Sequence, residues 1–532
     1  MNEGILIQDS EADVVNSEET TAIGHMDDVA DEGSRRSLRD HLRRTLSGKR
    51  SSSTASPPRR RDTDPDLTEV AWKDSSHEFA PRSYFVLTEA GKPVFASQPN
   101  DEAANSLSSM MGVVQALISI FLDDGDKIRC INAGKMRITF LQRPPLYYVC
   151  ASSWGEPESA MRSHLEYLHL QILSVVTAAQ LRRIFERRTN FDLRRLLDGS
   201  EPFLVSLLHR MELDLAMATS SLHCLQLESN LRARAADALV PVTKMKDVLY
   251  IILVAEGRVV TLVRPKKHSI HPTDLHILVN TIHAPSIYNS PASASWIPIC
   301  LPKFNPTGFV NAYISFLRKF DGDEESSQPQ SPPKSMDHSQ QQGPRGNTDP
   351  SALTQSRAHR DAGIALVCIS GGGEFETVRN WCDKVEQKLE QDGTLQAISQ
   401  LIQTGKADYS VSALGIPGLR HFVYKSRPHV QVTMPSFEEP YEELDNRRRI
   451  VTLYQMIHDA IHAKSGQEGT LKLQYIRTES EIVMGWITQP FELYIALSPR
   501  LPKIAVINAA NAVARWVKKE EASLFLKDAP VF

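Results

Sequence analysis

Two strands, a helix, three strands and a helix follow one another three times between residue 79 and the C-terminus, and this repetition constrains the fold more tightly than composition does. In the first copy, Arg82 to Glu89 and Pro93 to Ser97 flank a turn at Ala90-Gly91, the pattern of a β-hairpin. The next stretch, SLSSMMGVVQALISIFL, places Leu107, Met110, Met111, Val114, Leu117, Ile118 and Phe121 on one helical face. Strands KIRCIN, KMRITFL and PLYYVCAS follow, and a helix from about Glu158 to Arg187 closes the copy. The second copy reads Val248 to Val254, a turn at Glu256-Gly257, Val259 to Val263, a helix around Leu275 to Ile282, strands WIPICL, FVNAYISFL and IALVCIS, and a helix from about Thr377 to Ile402. The third reads His421 to Tyr424, Val430 to Thr433, a helix over Ile450 to Ile461, strands LKLQYIRT, EIVMGWIT and FELYIALS, and a last helix near Ile504 to Val517. Comparing TFLQRPPLYYVCAS with GWITQPFELYIALS shows the correspondence between the first and third copies at sequence level. Hairpins pair antiparallel, so each copy is expected to be a five-stranded antiparallel sheet with flanking helices, an α+β architecture.

The 532 residues exceed what one core accommodates and agree with several domains. The expected division is an arm at 1–78, a first module with a helical extension at 79–235, a second at 236–408 carrying an insertion at 321–360, and a third at 409–532. The arm is rich in Ser, Asp, Glu and Arg and poor in aromatics, and the insertion contains SSQPQSPPKSMDHSQQQGPRG; both are expected to be disordered. A net charge of -4 argues against nucleic acid as a partner. Six dispersed cysteines without close pairs point to buried thiols, and the absence of a long apolar run or a basic leader points to the cytosol.

Groups for covalent chemistry do not assemble. Gly371-Gly372-Gly373 reads as a turn, since neither phosphate-binding glycine motif is present. His268, His271, His276 and His283 are the densest histidines, but no carboxylate or cysteine completes a metal set there. Glu438-Glu439 and Glu442-Glu443 read as a solvated helix start. No cofactor or metal is expected.

Basic residues suggest membrane contacts. Arg264, Lys266 and Lys267 cluster just after a strand, and Arg39, Arg43 and Arg44 alternate with Leu38, Leu42 and Leu46 at helical spacing; both are candidates for anionic headgroups, with a charged loop and a solvated tail as the competing readings. Ser51, Ser52, Ser53 and Ser56 lie beside arginines and are candidate phosphorylation sites that would weaken such a contact.

WIPICLPKF followed by GFVNAYISFL at 296–317 resembles the hallmark of the monensin-sensitivity vacuolar fusion proteins, the SAND family. YFVLTEAGKPVF with SLSSMMGVVQALISIF, NFDLRRLLDGS and GIPGLRHFVYKS resemble further family segments, together spanning about residues 79–532. The resemblance implies that each copy is a longin domain. It also implies that the chain pairs with a second tri-longin protein, the calcium-caffeine-zinc sensitivity (Ccz) protein, in a guanine-nucleotide exchange factor. The substrate would be the late-endosomal and vacuolar Rab GTPase, with an early-endosomal Rab and phosphatidylinositol 3-phosphate as recruiters. Endosome maturation, and fusion of vacuoles, lysosomes and autophagosomes, would be the processes served, on late endosomes, multivesicular bodies and vacuoles. On that reading Glu89, Lys92, Met111, Gly112 and Gln115 are candidates to face the GTPase, with burial of Met111 and a close helix contact at Gly112 as alternatives. Trp296 is the candidate contact for the upstream Rab, with a core position the alternative. A longin-based tether or adaptor without exchange activity is the competing function.

Overall fold

The computed structural model describes residues 69–71, 79–97, 104–241, 245, 247–266, 269–290, 294–318, 363–464 and 470–527, with the backbone alone for 69–71 and 104–110. Most of the arm and the whole of 321–360 lie outside these residues. The described chain divides into two compact units, one holding the stretch 102–128 and the other the rest.

The first unit opens with β1 (Glu69–Ala71), then β2 (Ser83–Thr88) and β3 (Pro93–Ala96). The second unit holds helix α1 (Ala104–Asp123). The first unit resumes with β4 (Cys130–Ala133), β5 (Met136–Arg143), β6 (Leu146–Ser152), α2 (Glu158–Val175) and α3 (Ala178–Arg187). Its first sheet has the order β3-β2-β6-β5-β4 and is antiparallel throughout. Met161, Leu165, Leu168 and Ile172 recur along α2 and pack on Tyr84, Val86, Tyr148 and Cys150 of the sheet.

A connecting region follows: α4 (Arg194–Leu197), α5 (Glu201–Leu213), α6 (Leu215–Ala218), β7 (Leu222–His223) and α7 (Ser229–Leu239). The second module has β8 (Val248–Ala255), β9 (Arg258–Val263), α8 (Pro272–Ile282), α9 (Pro285–Tyr288), β10 (Ala294–Ile299), β11 (Val310–Arg318), β12 (Ile364–Ser370), α10 (Phe375–Gln391) and α11 (Thr394–Gln403). Its sheet order is β10-β11-β12-β8-β9. Strand alternation sends Ile251, Leu253, Leu366 and Cys368 toward α7, α10 and α11, and Tyr250, Ile252, Val367 and Ile369 toward α8.

The third module contains β13 (Leu419–Ser426), β14 (Gln431–Thr433), α12 (Leu444–His462), β15 (Leu473–Arg477), β16 (Ile482–Ile487), β17 (Phe491–Leu497), α13 (Lys503–Lys519) and α14 (Glu521–Leu524). Phe422, Met484, Leu493 and Ile495 face α13, whereas Val423, Val483, Tyr494 and Ala496 face α12. Ile450, Leu453, Ile457 and Ile461 on α12 are almost wholly buried, each contributing about 1.5–3 kcal/mol. The close approach is possible because Gly485 has no side chain: a Cβ there would overlap Ile457 and Ile461.

The five-stranded antiparallel expectation holds for the first two sheets and is exceeded in the third. Its order is β1-β15-β16-β17-β13-β14-β7, with β1 parallel to β15 and β7 parallel to β14. Residues 69–71, expected to be disordered with the arm, thus form a strand by borrowing the backbone groups of a sheet edge. Two expected helices are each divided. Between α2 and α3, Val176 is extended and the Thr177 hydroxyl caps α3 by accepting from Gln180 N at 3.2 Å. Between α10 and α11, Gly393 takes a φ of 65°.

The three modules meet at α5, which lies against α2, α8 and α12. Asn280 of α8 is fully buried there: its Nδ2 donates to Gln171 Oε1 at 3.0 Å and to Phe203 O at 2.8 Å, while its Oδ1 accepts from Ser206 Oγ at 3.1 Å. Arg448 of α12 pairs with Glu212 of α5, and Ser159 of α2 donates to Asp459 of α12.

Candidate functional site

The residues expected to face a GTPase are divided between the two units. On the β2–β3 hairpin, Gly91 has a φ of 74° and its amide donates to Thr88 O at 2.9 Å. Glu89 is exposed beside it, and its amide donates to Pro145 O at 3.0 Å, which ties this turn to the turn between β5 and β6. Burial, reinforced by Glu89, pushes the nearby Tyr147 phenol up. Lys92 is half-buried and its Nζ donates to Asn190 O at 2.9 Å, so its charge anchors the hairpin to the segment NFDLRRLL.

On α1, Met111 is buried and Gln115, one turn on, is half-buried. Gly112, Val113 and Ala116 are exposed, Val113 to 60%. No described atom comes within 4 Å of where a Cβ on Gly112 would lie.

Trp296 lies on β10, an edge strand, opposite Tyr313, and its ring meets Phe375 edge-on at 5.7 Å. It is half-buried, and so combines a core contact with access to the sheet edge. Just after it, the loop Leu301 to Phe304 is pinned by Asp274 of α8, whose carboxylate accepts from Lys303 N at 3.0 Å and Phe304 N at 2.9 Å. Burial raises the Asp274 carboxyl to about 6 despite those two bonds. Arg264 is half-buried and Lys266 exposed after β9; Lys267, Arg39, Arg43, Arg44, Ser51, Ser52, Ser53 and Ser56 lie outside the described residues.

Among the described residues, the histidines of the second module each bond to nearby backbone. His271 Nδ1 accepts from Thr273 N at 3.1 Å as a helix cap, a ring nitrogen of His276 lies 2.8 Å from Ser221 O, and one of His283 lies 2.8 Å from Val279 O. His268 lies outside the described residues. Glu443 takes the N-cap position of α12, so the paired carboxylates do precede a helix. The cysteines are free thiols, five buried and Cys130 partly so.

A different cluster, not singled out from the sequence, sits where the first and third modules join. A cavity of about 50 Å³ is lined there by Ser159, His164, Tyr167, Met217, Tyr454 and His458, among others. Beside it His458 and His462 occupy successive turns of α12 and face Glu492 of β17. His462 Nε2 is 3.1 Å from Glu492 Oε2, Tyr494 OH donates to the same oxygen at 3.1 Å, and His458 Nδ1 lies 2.7 Å from that phenol. Burial alone would raise the Glu492 carboxyl, but the His462 hydrogen bond and the Lys425 ammonium hold it at about 2. The spacing H-x-x-x-H in IHDAIH was the available signal; the partner carboxylate, thirty residues on, carried none.

Three family models match in order: the first longin domain of FUZ, MON1 and HPS1 over residues 82–207, the second over 246–328 and the third over 418–521. The chain is 47% identical over 472 residues to Vacuolar fusion protein MON1 of Cryptococcus neoformans var. neoformans serotype D (strain B-3501A), covering 88% of this chain and 68% of that protein. The chain belongs to the MON1/SAND family of vacuolar fusion proteins. Vertebrate members are similar at greater distance: Vacuolar fusion protein MON1 homolog A of Gallus gallus is 34% identical over 87% of this chain and 74% of its own length. Protein SAND of Takifugu rubripes is 33% identical over 88% of this chain and 79% of its own length. The three sheets of this MON1/SAND chain are accordingly the sheets of three longin domains. Among its described residues no helix is long and apolar enough to cross a membrane.

Proposed function

We propose that this chain is one subunit of a heterodimeric guanine-nucleotide exchange factor, paired with a Ccz-type tri-longin protein and acting on the Rab GTPase of late endosomes and vacuoles. The observation that carries the reading is the succession of three longin domains in a chain of the MON1/SAND family. Exchange needs no covalent step: the complex binds the nucleotide-free GTPase more tightly than the loaded one, and the difference in affinity releases GDP. The exposed face of α1 at Gly112, Val113 and Ala116 and the exposed Glu89 are surfaces that support docking of a GTPase or a partner.

Recruitment to late endosome and vacuole membranes uses an early-endosomal Rab near Trp296 and anionic headgroups, phosphatidylinositol 3-phosphate among them, at Arg264, Lys266 and Lys267. The basic arm with Arg39, Arg43 and Arg44 adds a contact that phosphorylation at Ser51, Ser52, Ser53 or Ser56 weakens.

The test is release of labelled GDP from a set of Rabs by the chain together with its tri-longin partner. Acceleration for a late-endosomal Rab, reduced at least tenfold by Gly112→Glu with Val113→Glu, is the expected result. No acceleration for any Rab would leave the tether as the function.

A further inference from the structure

We propose that His458, His462 and Glu492 form a binding site for a divalent transition metal, with Zn²⁺ the best match. One ring nitrogen of each histidine and a carboxylate oxygen of Glu492 lie within 4.8 Å of one another, and the two imidazole centroids are 4.5 Å apart. Ligands about 2.0–2.2 Å from a tetrahedral Zn²⁺ stand roughly 3.3 Å from each other. His462 Nε2 and Glu492 Oε2 already stand at 3.1 Å, so small side-chain rotations bring the third donor in.

The surroundings favour a ligand role. Tyr494 OH donates to Glu492 Oε2, which leaves the phenol oxygen to accept from the Nδ1 proton of His458. That fixes the tautomer with the Nε2 lone pair free, the arrangement by which outer groups orient a ligating imidazole. Both histidines come from one rigid helix and the carboxylate from a central part of the sheet, so the donors are held by packed elements. Two nitrogens and one oxygen match Zn²⁺ and leave a fourth position for water.

Charge opposes the ion on two sides: the Lys464 ammonium acts on His458, and two further cations stand by Glu492. Lys425 Nζ and Arg427 Nε are 3.7 and 3.8 Å from Glu492 Oε1, the other carboxylate oxygen, and Lys425 Nζ also donates to Thr219 O at 3.0 Å. They weaken the site without occupying Oε2. A bound ion would fasten the last turn of α12 to β17 beside the cavity between the first and third modules.

The full-length chain, stripped with chelator, is loaded with Zn²⁺ alone and, in parallel, with Co²⁺ as a visible-absorbing substitute, then freed of excess metal. Wild type is expected to retain one more equivalent of Zn²⁺ than His462→Gln, which keeps an amide donor for Glu492. It is also expected to show tetrahedral Co²⁺ absorption that is lost in His462→Gln and in His458→Gln. Zinc should raise the unfolding midpoint of wild type alone. Absence of the Co²⁺ band in wild type, or equal zinc in wild type and His462→Gln, overturns the site and leaves a hydrogen-bonded cluster only.

Discussion

Arg82 and Glu156 meet at 2.7 Å with both side chains almost completely removed from solvent. The pair joins the start of β2 to the loop before α2, with Ser152 Oγ donating to Glu156 at 2.9 Å and the Arg82 guanidinium stacked 3.6 Å over the Trp154 ring. Removing one partner strands the other charge in a low-dielectric site. Arg82→Met is expected to cost about 3–5 kcal/mol. Arg82→Met with Glu156→Leu should recover much of it, read as unfolding midpoints in denaturant; equal loss in single and double variants would contradict the buried-charge account.

Asp274 gives a pH signature. Its carboxyl is raised by burial from 3.8 to about 6, so between those values the folded protein holds a proton that the unfolded chain has released. Its contribution to stability is complete below about pH 4 and is lost as pH rises through about 6. Comparing thermal midpoints of wild type and Asp274→Asn across this range should show wild type falling relative to the variant. Parallel curves would place the titration elsewhere.

Gly485 tests the packing of α12 on the third sheet. Gly485→Ala should destabilise by about 1–3 kcal/mol through overpacking against Ile457 and Ile461. Ile457→Ala opens the space that the new methyl needs, so the double variant should lose less than the sum of the two single losses. Strict additivity would mean that the helix shifts instead.

Asn280 tests the junction of the first two modules. Asn280→Leu leaves Gln171 Oε1, Phe203 O and Ser206 Oγ without their partner and is expected to cost about 1–3 kcal/mol. Hydrogen exchange should quicken in both α2 and α8. Faster exchange in α8 alone would show that the network does not couple the modules.

The strands of the repeat were readable because each runs between turn residues with period-two alternation or a short buried apolar run, as in IALVCIS, which is β12 residue for residue. The divided helices carried legible signals, Thr177 three residues before Gln180 and Gly393 in the left-handed region, but continuous apolar periodicity outweighed them. By contrast, β1 has three residues, one of them β-branched, and exists because β15 supplies an edge; no local pattern encodes that. The same holds for Glu492: its partners lie on another element, and only the packing of α12 on β17 brings them together.

The seven-stranded sheet also sets an order in time. During synthesis Glu69, Val70 and Ala71 leave the ribosome ahead of every longin domain, yet their partners Tyr475, Ile476 and Arg477 are among the last strand residues made. The earliest described strand therefore waits longest for its partner, because the edge that receives it does not exist until the third domain folds.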